Sequence, residues 1–190
     1  ANQKGGQIYS QYIINLYLSK LPLMPFSFNE HIYLQIVENL INKGKTPWLS
    51  LSDIETHNIN TQAIKPFLPG NKFPNINSLY DLEAKYTIIH FYSSTCESCK
   101  KDIDDLINFY NDDSKTYDAQ IISINVGEET SESPFAWTNW QIDPQILKQK
   151  YSIDIIRTPE VYILDKDKTI LNKTVIYSHI KKAIKDWEGF

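Results

Sequence analysis

Two cysteines, Cys96 and Cys99, are the only cysteines in the 190-residue chain, and two residues separate them. An apolar run of β type, residues 88–92, comes shortly before them, and a stretch with helical spacing follows. A CxxC pair between a strand and a helix is the setting in which a dithiol carries out thiol–disulfide exchange. Two cysteines this close together cannot staple a fold, so cysteine usage alone does not settle the cellular compartment.

The helix predicted after the cysteines, residues 97–111, distinguishes the two thiols. Its apolar residues share one face, which consists of Cys99, Ile103, Leu106, Ile107 and Tyr110. Cys99 is therefore expected to point toward the core. Cys96 is expected at the helix start, where free backbone N–H groups and the positive end of the helix dipole stabilise a thiolate. We interpret Cys96 as the attacking cysteine and Cys99 as the resolving one.

Strand and helix patterns alternate over the rest of this part of the chain. Apolar runs predict strands over residues 86–92, 120–126, 161–164 and 170–175. Helical spacing predicts helices over residues 97–111, 144–151 and 178–187, the second of them capped by Asp143. This order is typical of an α/β fold with a central mixed β-sheet flanked by helices.

The first part of the chain has a different pattern. Apolar spacing predicts helices over residues 7–19 and 29–43, and Gly44 is expected to end the second one. Frequent proline and polar residues make long regular elements unlikely between Thr46 and Pro74. We therefore divide the chain into an N-terminal, mainly helical extension, residues 1–65, and an α/β domain, residues 66–190.

Composition excludes several classes of protein. A net charge of -4 and a pI near 5.6 give no long-range attraction to nucleic acid. No apolar run approaches the roughly 18 residues that span a bilayer, so the chain is not expected to be embedded in a membrane. The chain begins with Ala1 and not with Met. We therefore expect a processed or trimmed chain, with removal of an export signal as one explanation.

Three segments resemble the thioredoxin superfamily, and more closely its TlpA/ResA-like branch of bacterial thiol-disulfide oxidoreductases. They are residues 69–76, the strand at 86–92 with Cys96-Glu-Ser-Cys-Lys-Lys-Asp102, and residues 158–165. The resemblance covers about residues 66–190 and implies a thioredoxin-like fold there. Residues 1–65 resemble the extra N-terminal segments of exported Bacteroidetes proteins. The resemblance thus implies a periplasmic or otherwise exported protein, with a cytoplasmic location as the alternative.

The resemblance assigns Pro159 as a cis-proline that packs beside the dithiol. A cis bond would free the backbone of Thr158 to pair with an extended substrate segment. The alternative is an ordinary trans proline that opens an edge strand. Arg157, the only arginine, precedes this pair and is expected either to hydrogen-bond the backbone of a client or to cap local structure.

Two residues are candidates for moving the proton of Cys99. The resemblance to the TlpA/ResA-like branch places Asp102 at a position that is acidic there, where it could act as a base, or it could be a surface acid that favours the helix dipole. His90 takes the strand position where thioredoxin has a buried carboxylate. A neutral imidazole there could relay a proton, and an imidazolium could stabilise a thiolate. The alternative for His90 is a core residue with satisfied hydrogen bonds.

Three neighbours are expected to adjust the reactivity of Cys96. Glu97 opposes ionisation of the thiol and Lys100 favours it. Ser98 replaces a proline that is frequent in the family, and Thr95 replaces a frequent tryptophan, which makes the rim more polar. A less stabilised thiolate makes the dithiol a better reductant, which favours reduction of clients.

Aromatic residues cluster in a stretch predicted as a loop, residues 131–143. Phe135, Trp137 and Trp140 form either a small core under that loop or a rim that binds clients.

These features predict a thiol-disulfide oxidoreductase that reduces disulfides of exported client proteins and is recharged by an upstream thiol reductant. No metal and no cofactor beyond the Cys96–Cys99 disulfide is expected, since the histidine spacing does not match a Cys2His2 zinc site. Two alternatives stay open: a disulfide isomerase, and a binding module whose residues 1–65 dock to a larger assembly. The sequence does not indicate an oligomeric state.

Overall fold

Helices make up the first part of the chain, as the spacing of its apolar residues predicts. The computed structural model describes residues 2–23, 26–101, 103–128, 135–155, 158–174 and 176–189, and the chain divides into two compact units, Ala1–Leu68 and Pro69–Phe190. The helices of the first unit are α1, Asn2–Lys20; α2, Ser27–Ile36, continued by a π-helical turn, Val37–Ile41; and α3, Leu51–Ile64. Gly44 follows with a φ of 66° and donates its N–H to the carbonyl of Ile41. It ends this helical region as predicted.

Helix α3 contradicts the expectation that long regular elements are unlikely between Thr46 and Pro74. A capping box begins the helix: the Ser50 hydroxyl accepts the N–H of Asp53, and the Asp53 carboxylate accepts the N–H of Ser50. The apolar core of the unit holds it in place through two of its side chains, Ile54 and Ile64. Its other large apolar residues, Leu51 and Ile59, are exposed, and most of its remaining residues are polar, as in a loop.

Residue 66, near which we predicted the domain boundary, lies in a short 3₁₀ turn, Lys65–Phe67, and the first compact unit ends at Leu68. None of the described helices combines the length and the apolar character that a bilayer span requires.

Within the described residues, the second unit contains a five-stranded mixed sheet in the order β3-β2-β1-β4-β5. The strands are β1, Tyr86–Tyr92; β2, Ala119–Asn125; β3, Thr138–Gln141; β4, Glu160–Leu164; and β5, Ile170–Thr174. Strand β1 pairs in parallel with β2 and antiparallel with β4, while β2 and β3 are parallel and β4 and β5 antiparallel. The predicted α/β fold with a mixed sheet is confirmed.

Helices flank this sheet. They are α4, Glu97–Lys101; α5, Ile103–Asn108, followed by a π-helical turn, Phe109–Asp113; α6, Pro144–Tyr151; and α7, His179–Glu188. The Asp143 side chain caps α6 by accepting the N–H of Gln145 at 2.6 Å, as predicted. Residues of β1, β4, α5 and α7 form one core cluster, in which Ile88, Leu106 and Ile180 are fully buried.

The predicted loop over residues 131–143 is wrong in part, because Thr138–Gln141 form strand β3. The strand has only four residues and pairs in parallel with Ile122–Asn125 of β2. It contains three polar residues and one aromatic residue, a pattern too short to predict a strand, and the pairing with β2 determines its conformation.

Candidate redox site

The two cysteines lie just beyond the carboxyl end of the central strand. Cys96 follows β1 by four residues and Cys99 lies in α4, and the two form a disulfide with their Cα atoms 5.2 Å apart. Cys99 is 4% exposed, whereas Cys96 is half-buried. The prediction that Cys99 points into the core is confirmed. Cys96 is therefore the sulfur that a partner reaches first.

Three polar groups surround the Cys96 sulfur. The N–H of Cys99 points to it at 3.0 Å, the Ser98 hydroxyl lies at 3.2 Å and the Thr158 carbonyl oxygen at 3.4 Å. A disulfide sulfur has no hydrogen to donate, so the approach to Thr158 is a contact and not a hydrogen bond. The N–H and hydroxyl donors can stabilise a negative charge on this sulfur after reduction. Ser98, predicted to adjust reactivity, thus contacts the sulfur of Cys96, and its effect on reactivity stays a prediction.

The wall opposite the disulfide is the Thr158–Pro159 peptide bond, which is cis. The cis conformation agrees with the resemblance and excludes the trans alternative. The contact between the Cys96 sulfur and the Thr158 carbonyl joins segments that lie 62 residues apart in sequence. The pairing of Thr158 with a client stays a prediction, and Arg157 lies outside the described residues.

The charged neighbours of Cys96 neutralise each other. Lys100 Nζ and Glu97 Oε1 form an ion pair at 3.1 Å, and the two side chains are 58% and 87% exposed. Solvent screens an ion pair this exposed. The opposite effects of the two residues on the reactivity of Cys96 stay predictions. Asp102, the predicted base, lies outside the described residues.

His90 is completely buried in β1 and both of its ring nitrogens are hydrogen-bonded. Nδ1 lies 2.9 Å from the Ser123 hydroxyl, and Nε2 lies 2.8 Å from the Tyr177 hydroxyl. Desolvation lowers the pKa of His90 to about 3. The ring is therefore neutral at physiological pH, which removes the predicted imidazolium role. Proton transfer by the neutral ring stays a prediction beside the alternative of a satisfied core histidine.

The buried His90 should make the protein less stable as the pH decreases. An unfolded chain protonates His90 near pH 6.5, whereas the folded chain resists protonation until about pH 3, so the unfolded state binds more protons in between. The stabilisation is complete above pH 6.5 and is lost below it, by about 2 kcal/mol at pH 5. Urea unfolding of wild type and His90→Phe at pH 7.5 and 5 measures this loss. Between pH 7.5 and pH 5, the free energy of unfolding of wild type should fall by about 2 kcal/mol more than that of His90→Phe. Parallel pH curves of the two proteins would contradict the prediction.

The aromatic cluster packs around this histidine. Phe135 stacks on Trp137 with ring centroids 4.7 Å apart and meets the rings of His90 and Tyr92 edge-on. Trp137 also donates its indole N–H to the Ser123 hydroxyl at 2.9 Å. Of the two interpretations of the cluster, these contacts favour the small core.

The sequence did not point to Ser123 or Tyr177, which lie 33 and 87 residues from His90. The one signal in the sequence for such partners was His90 itself, because the two ring nitrogens of a buried histidine require two hydrogen-bond partners. Metal ligation would require several converging ligands. Among the residues that the structure describes, no group of three or more His, Cys, Asp or Glu side chains could hold a metal ion.

Comparison with solved structures gives several matches. A thioredoxin-like protein from Bacteroides caccae aligns with a TM-score of 0.66 and 22% identity, over 83% of this chain and 62% of its own. A domain of a possible thiol-disulfide isomerase from Cytophaga hutchinsonii aligns with a TM-score of 0.53 and 26% identity, over 65% of this chain and 95% of its own. A thioredoxin-like protein from Parabacteroides distasonis aligns with a TM-score of 0.51 and 16% identity, over 63% of this chain and 96% of its own. No protein-family model and no curated protein matches the sequence.

These matches show that the chain has a thioredoxin-like fold, in agreement with the resemblance seen in its sequence. The fold and the site define a thioredoxin-like protein with a CxxC disulfide that faces a cis-proline. The chain spans 62% of the length of the Bacteroides caccae protein. The second unit makes up 122 of the 190 residues, so a match over 83% of the chain also includes part of the first unit.

Proposed function

We propose that this protein is a thiol-disulfide oxidoreductase that reduces disulfides of client proteins through the Cys96–Cys99 pair. One observation carries the proposal: the half-buried sulfur of Cys96 lies 3.4 Å from the carbonyl that precedes cis-Pro159, while Cys99 is buried beside it. The Cytophaga hutchinsonii domain, described as a possible thiol-disulfide isomerase, supports the same class of chemistry. We expect the clients to be exported proteins.

The first step joins the two proteins. The Cys96 thiolate attacks one sulfur of the client disulfide, a new S–S bond forms, and the second client sulfur leaves as a thiolate that takes up a proton. The N–H of Cys99 and the hydroxyl of Ser98 lie beside the attacking sulfur and lower the cost of its charge.

The second step releases the client. The Cys99 thiol loses its proton and attacks the Cys96 sulfur. The bond to the client breaks, the client sulfur leaves as a thiolate that takes up a proton, and the Cys96–Cys99 disulfide remains. Two electrons have then passed from the protein to the client. An upstream dithiol reduces the disulfide again by the same two steps in reverse. The reaction requires no metal or organic cofactor.

The direction of exchange follows from how strongly the reduced form is stabilised. The Glu97–Lys100 ion pair supplies no net charge beside Cys96, so we expect a potential nearer the roughly -270 mV of thioredoxin than the roughly -120 mV of a strong oxidant. Equilibration with glutathione buffers, followed by alkylation and mass spectrometry, measures the potential. A value near the oxidant's would reverse the assigned direction.

Insulin reduction tests the proposal itself. In the presence of dithiothreitol, the wild-type protein should precipitate the insulin B chain faster than dithiothreitol alone. Protein with both cysteines alkylated is the matched control and should add nothing. Equal rates with native and alkylated protein would contradict the proposal and favour a binding module built on the same fold.

Isomerase activity is the second candidate, and the description of the Cytophaga hutchinsonii domain favours it. An isomerase restores activity to a scrambled, fully oxidised ribonuclease when only catalytic amounts of reductant are present. A reductase acts on the same substrate only in proportion to the reductant supplied. Recovery well beyond that proportion would favour the isomerase.

A further inference from the structure

The residues that follow β2 pack against the segment that leads from β1 to the cysteines. The N–H of Val126 donates to the Tyr92 carbonyl at 2.8 Å, and the Ser94 hydroxyl donates to the Glu128 carbonyl at 3.4 Å. These two hydrogen bonds place residues 126–128 alongside residues 92–94. The position of Cys96 therefore depends on a turn some thirty residues away in sequence.

A buried asparagine shapes that turn. Asn125 is fully buried, its Nδ2 donates to the Glu128 carbonyl at 2.9 Å, and its Oδ1 accepts the N–H of Gly127 at 3.0 Å. The Gln141 side chain donates to the Gly127 carbonyl at 2.9 Å and holds the turn from the other side. The turn is thus fixed by hydrogen bonds at both ends of its central residue, Gly127.

Gly127 lies so close to Ser93 that a side chain at position 127 would not fit. A Cβ atom at this position would lie 2.2 Å from Ser93 Oγ, 3.0 Å from Ser93 Cβ and 3.2 Å from Ser93 Cα. Gly127 is outside the left-handed region of backbone conformation, so its φ does not require glycine. The close approach to Ser93 requires it.

Ser93 in turn holds the backbone that carries the attacking cysteine. Its hydroxyl lies 3.0 Å from the Thr95 hydroxyl and accepts the N–H of Thr95 at 3.4 Å, while its carbonyl accepts the N–H of Cys96 at 3.0 Å. Such hydroxyl-to-backbone contacts define a local turn. A side chain at position 127 would displace this hydroxyl first, and the contacts to Thr95 and Cys96 would change with it.

We propose that Gly127 is a positioning residue for Cys96, acting through Ser93. This inference rests on the proposed thiol-disulfide exchange, since it assigns a role in placing the attacking sulfur. The absence of a side chain at Gly127 lets Ser93 fix the turn that keeps the Cys96 sulfur next to the N–H of Cys99.

Gly127→Ala should therefore slow the reaction of Cys96 without removing either thiol. In the fully reduced protein at pH 7, alkylation of Cys96 by iodoacetamide should slow roughly ten-fold, because the hydrogen bond from Cys99 N–H to the charged sulfur is lost. The midpoint of the pH profile of alkylation should rise by about one unit for the same reason. Peptide mass spectrometry follows Cys96 separately from Cys99.

A second substitution tests the path through Ser93. In the double variant Gly127→Ala/Ser93→Gly, the atoms nearest to the new methyl group are removed, and we expect the pH profile to return toward that of Ser93→Gly alone. Gly6→Ala is the matched control, because a Cβ at Gly6 meets no atom within 4 Å. If Gly127→Ala fails to fold, Ser93→Ala tests the same contacts and should slow alkylation roughly three-fold.

The outcomes separate this inference from the proposed function. An unchanged pH profile in folded Gly127→Ala would overturn the positioning role, and so would a shift that persists in full in the double variant. If wild type fails to reduce insulin while Gly127→Ala still alters Cys96 alkylation, the positioning role stands and the proposed function falls.

Discussion

Cys96→Ser is expected to lower the rate of insulin reduction at least about 100-fold, to the rate of the reductant alone. A serine hydroxyl is not ionised at neutral pH and cannot form the mixed disulfide that the first step requires. The structure makes this cysteine the critical one, because its sulfur is half-buried and faces the Thr158 carbonyl, whereas Cys99 is 4% exposed. The insulin assay with dithiothreitol measures the loss.

Cys99→Ser is the matched variant and should behave differently. It keeps the attacking sulfur but lacks the resolving one, so it should accumulate a covalent adduct with a disulfide substrate that a reductant releases. Non-reducing gels and mass spectrometry detect this adduct. If adducts form through Cys99 in Cys96→Ser and not through Cys96 in Cys99→Ser, the two roles must be exchanged.

Lys173→Met is expected to destabilise the second unit by about 3–5 kcal/mol, because it leaves a buried carboxylate without its cation. Lys173 forms an ion pair with Glu160, and the two side chains are only 8% and 5% exposed. The Tyr162 hydroxyl also donates to Glu160 at 2.6 Å, and the ammonium of Lys173 lies 5.0 Å from the centre of the Tyr162 ring. Urea unfolding followed by circular dichroism measures the free energy of unfolding.

An exposed ion pair provides the control. Lys148 pairs with Asp154 at 2.7 Å with side chains 64% and 39% exposed, so Lys148→Met should cost less than about 1 kcal/mol. The double variant Glu160→Leu/Lys173→Met should recover most of the loss, because it removes both buried charges. Equal costs for Lys173→Met and Lys148→Met would show that the buried pair contributes no more than the exposed one.

The sequence predicted best those elements whose conformation is determined locally. Strand β1 has the predicted bounds because its seven residues form one continuous buried run, and α6 begins at Pro144 because Asp143 caps it. Helix α3 was missed because its apolar residues do not share one helical face, although Ser50 and Asp53 carry a capping-box signal. Strand β3 was missed because its conformation depends on pairing with β2.

In the candidate site, too, features determined by local sequence could be predicted, and features that depend on long-range contacts could not. The spacing of Cys96 and Cys99 and the burial of Cys99 could be predicted from local pattern, and the cis bond before Pro159 from the resemblance. The partners of His90 and the contact of Gly127 with Ser93 could not, because each joins residues that only the folded sheet brings together. No local pattern records such a contact.

Cys96 and Thr158 are separated by 62 positions in sequence, and this separation also determines when the site is assembled. The ribosome synthesises both cysteines well before Thr158 and Pro159, which form the wall that faces them. These two residues reach their place beside the disulfide only when β4 pairs with β1. A contact of this sequence separation carries the entropic cost of closing a long loop. A chain whose β4 has not yet paired with β1 therefore contains both cysteines but lacks the wall that faces them.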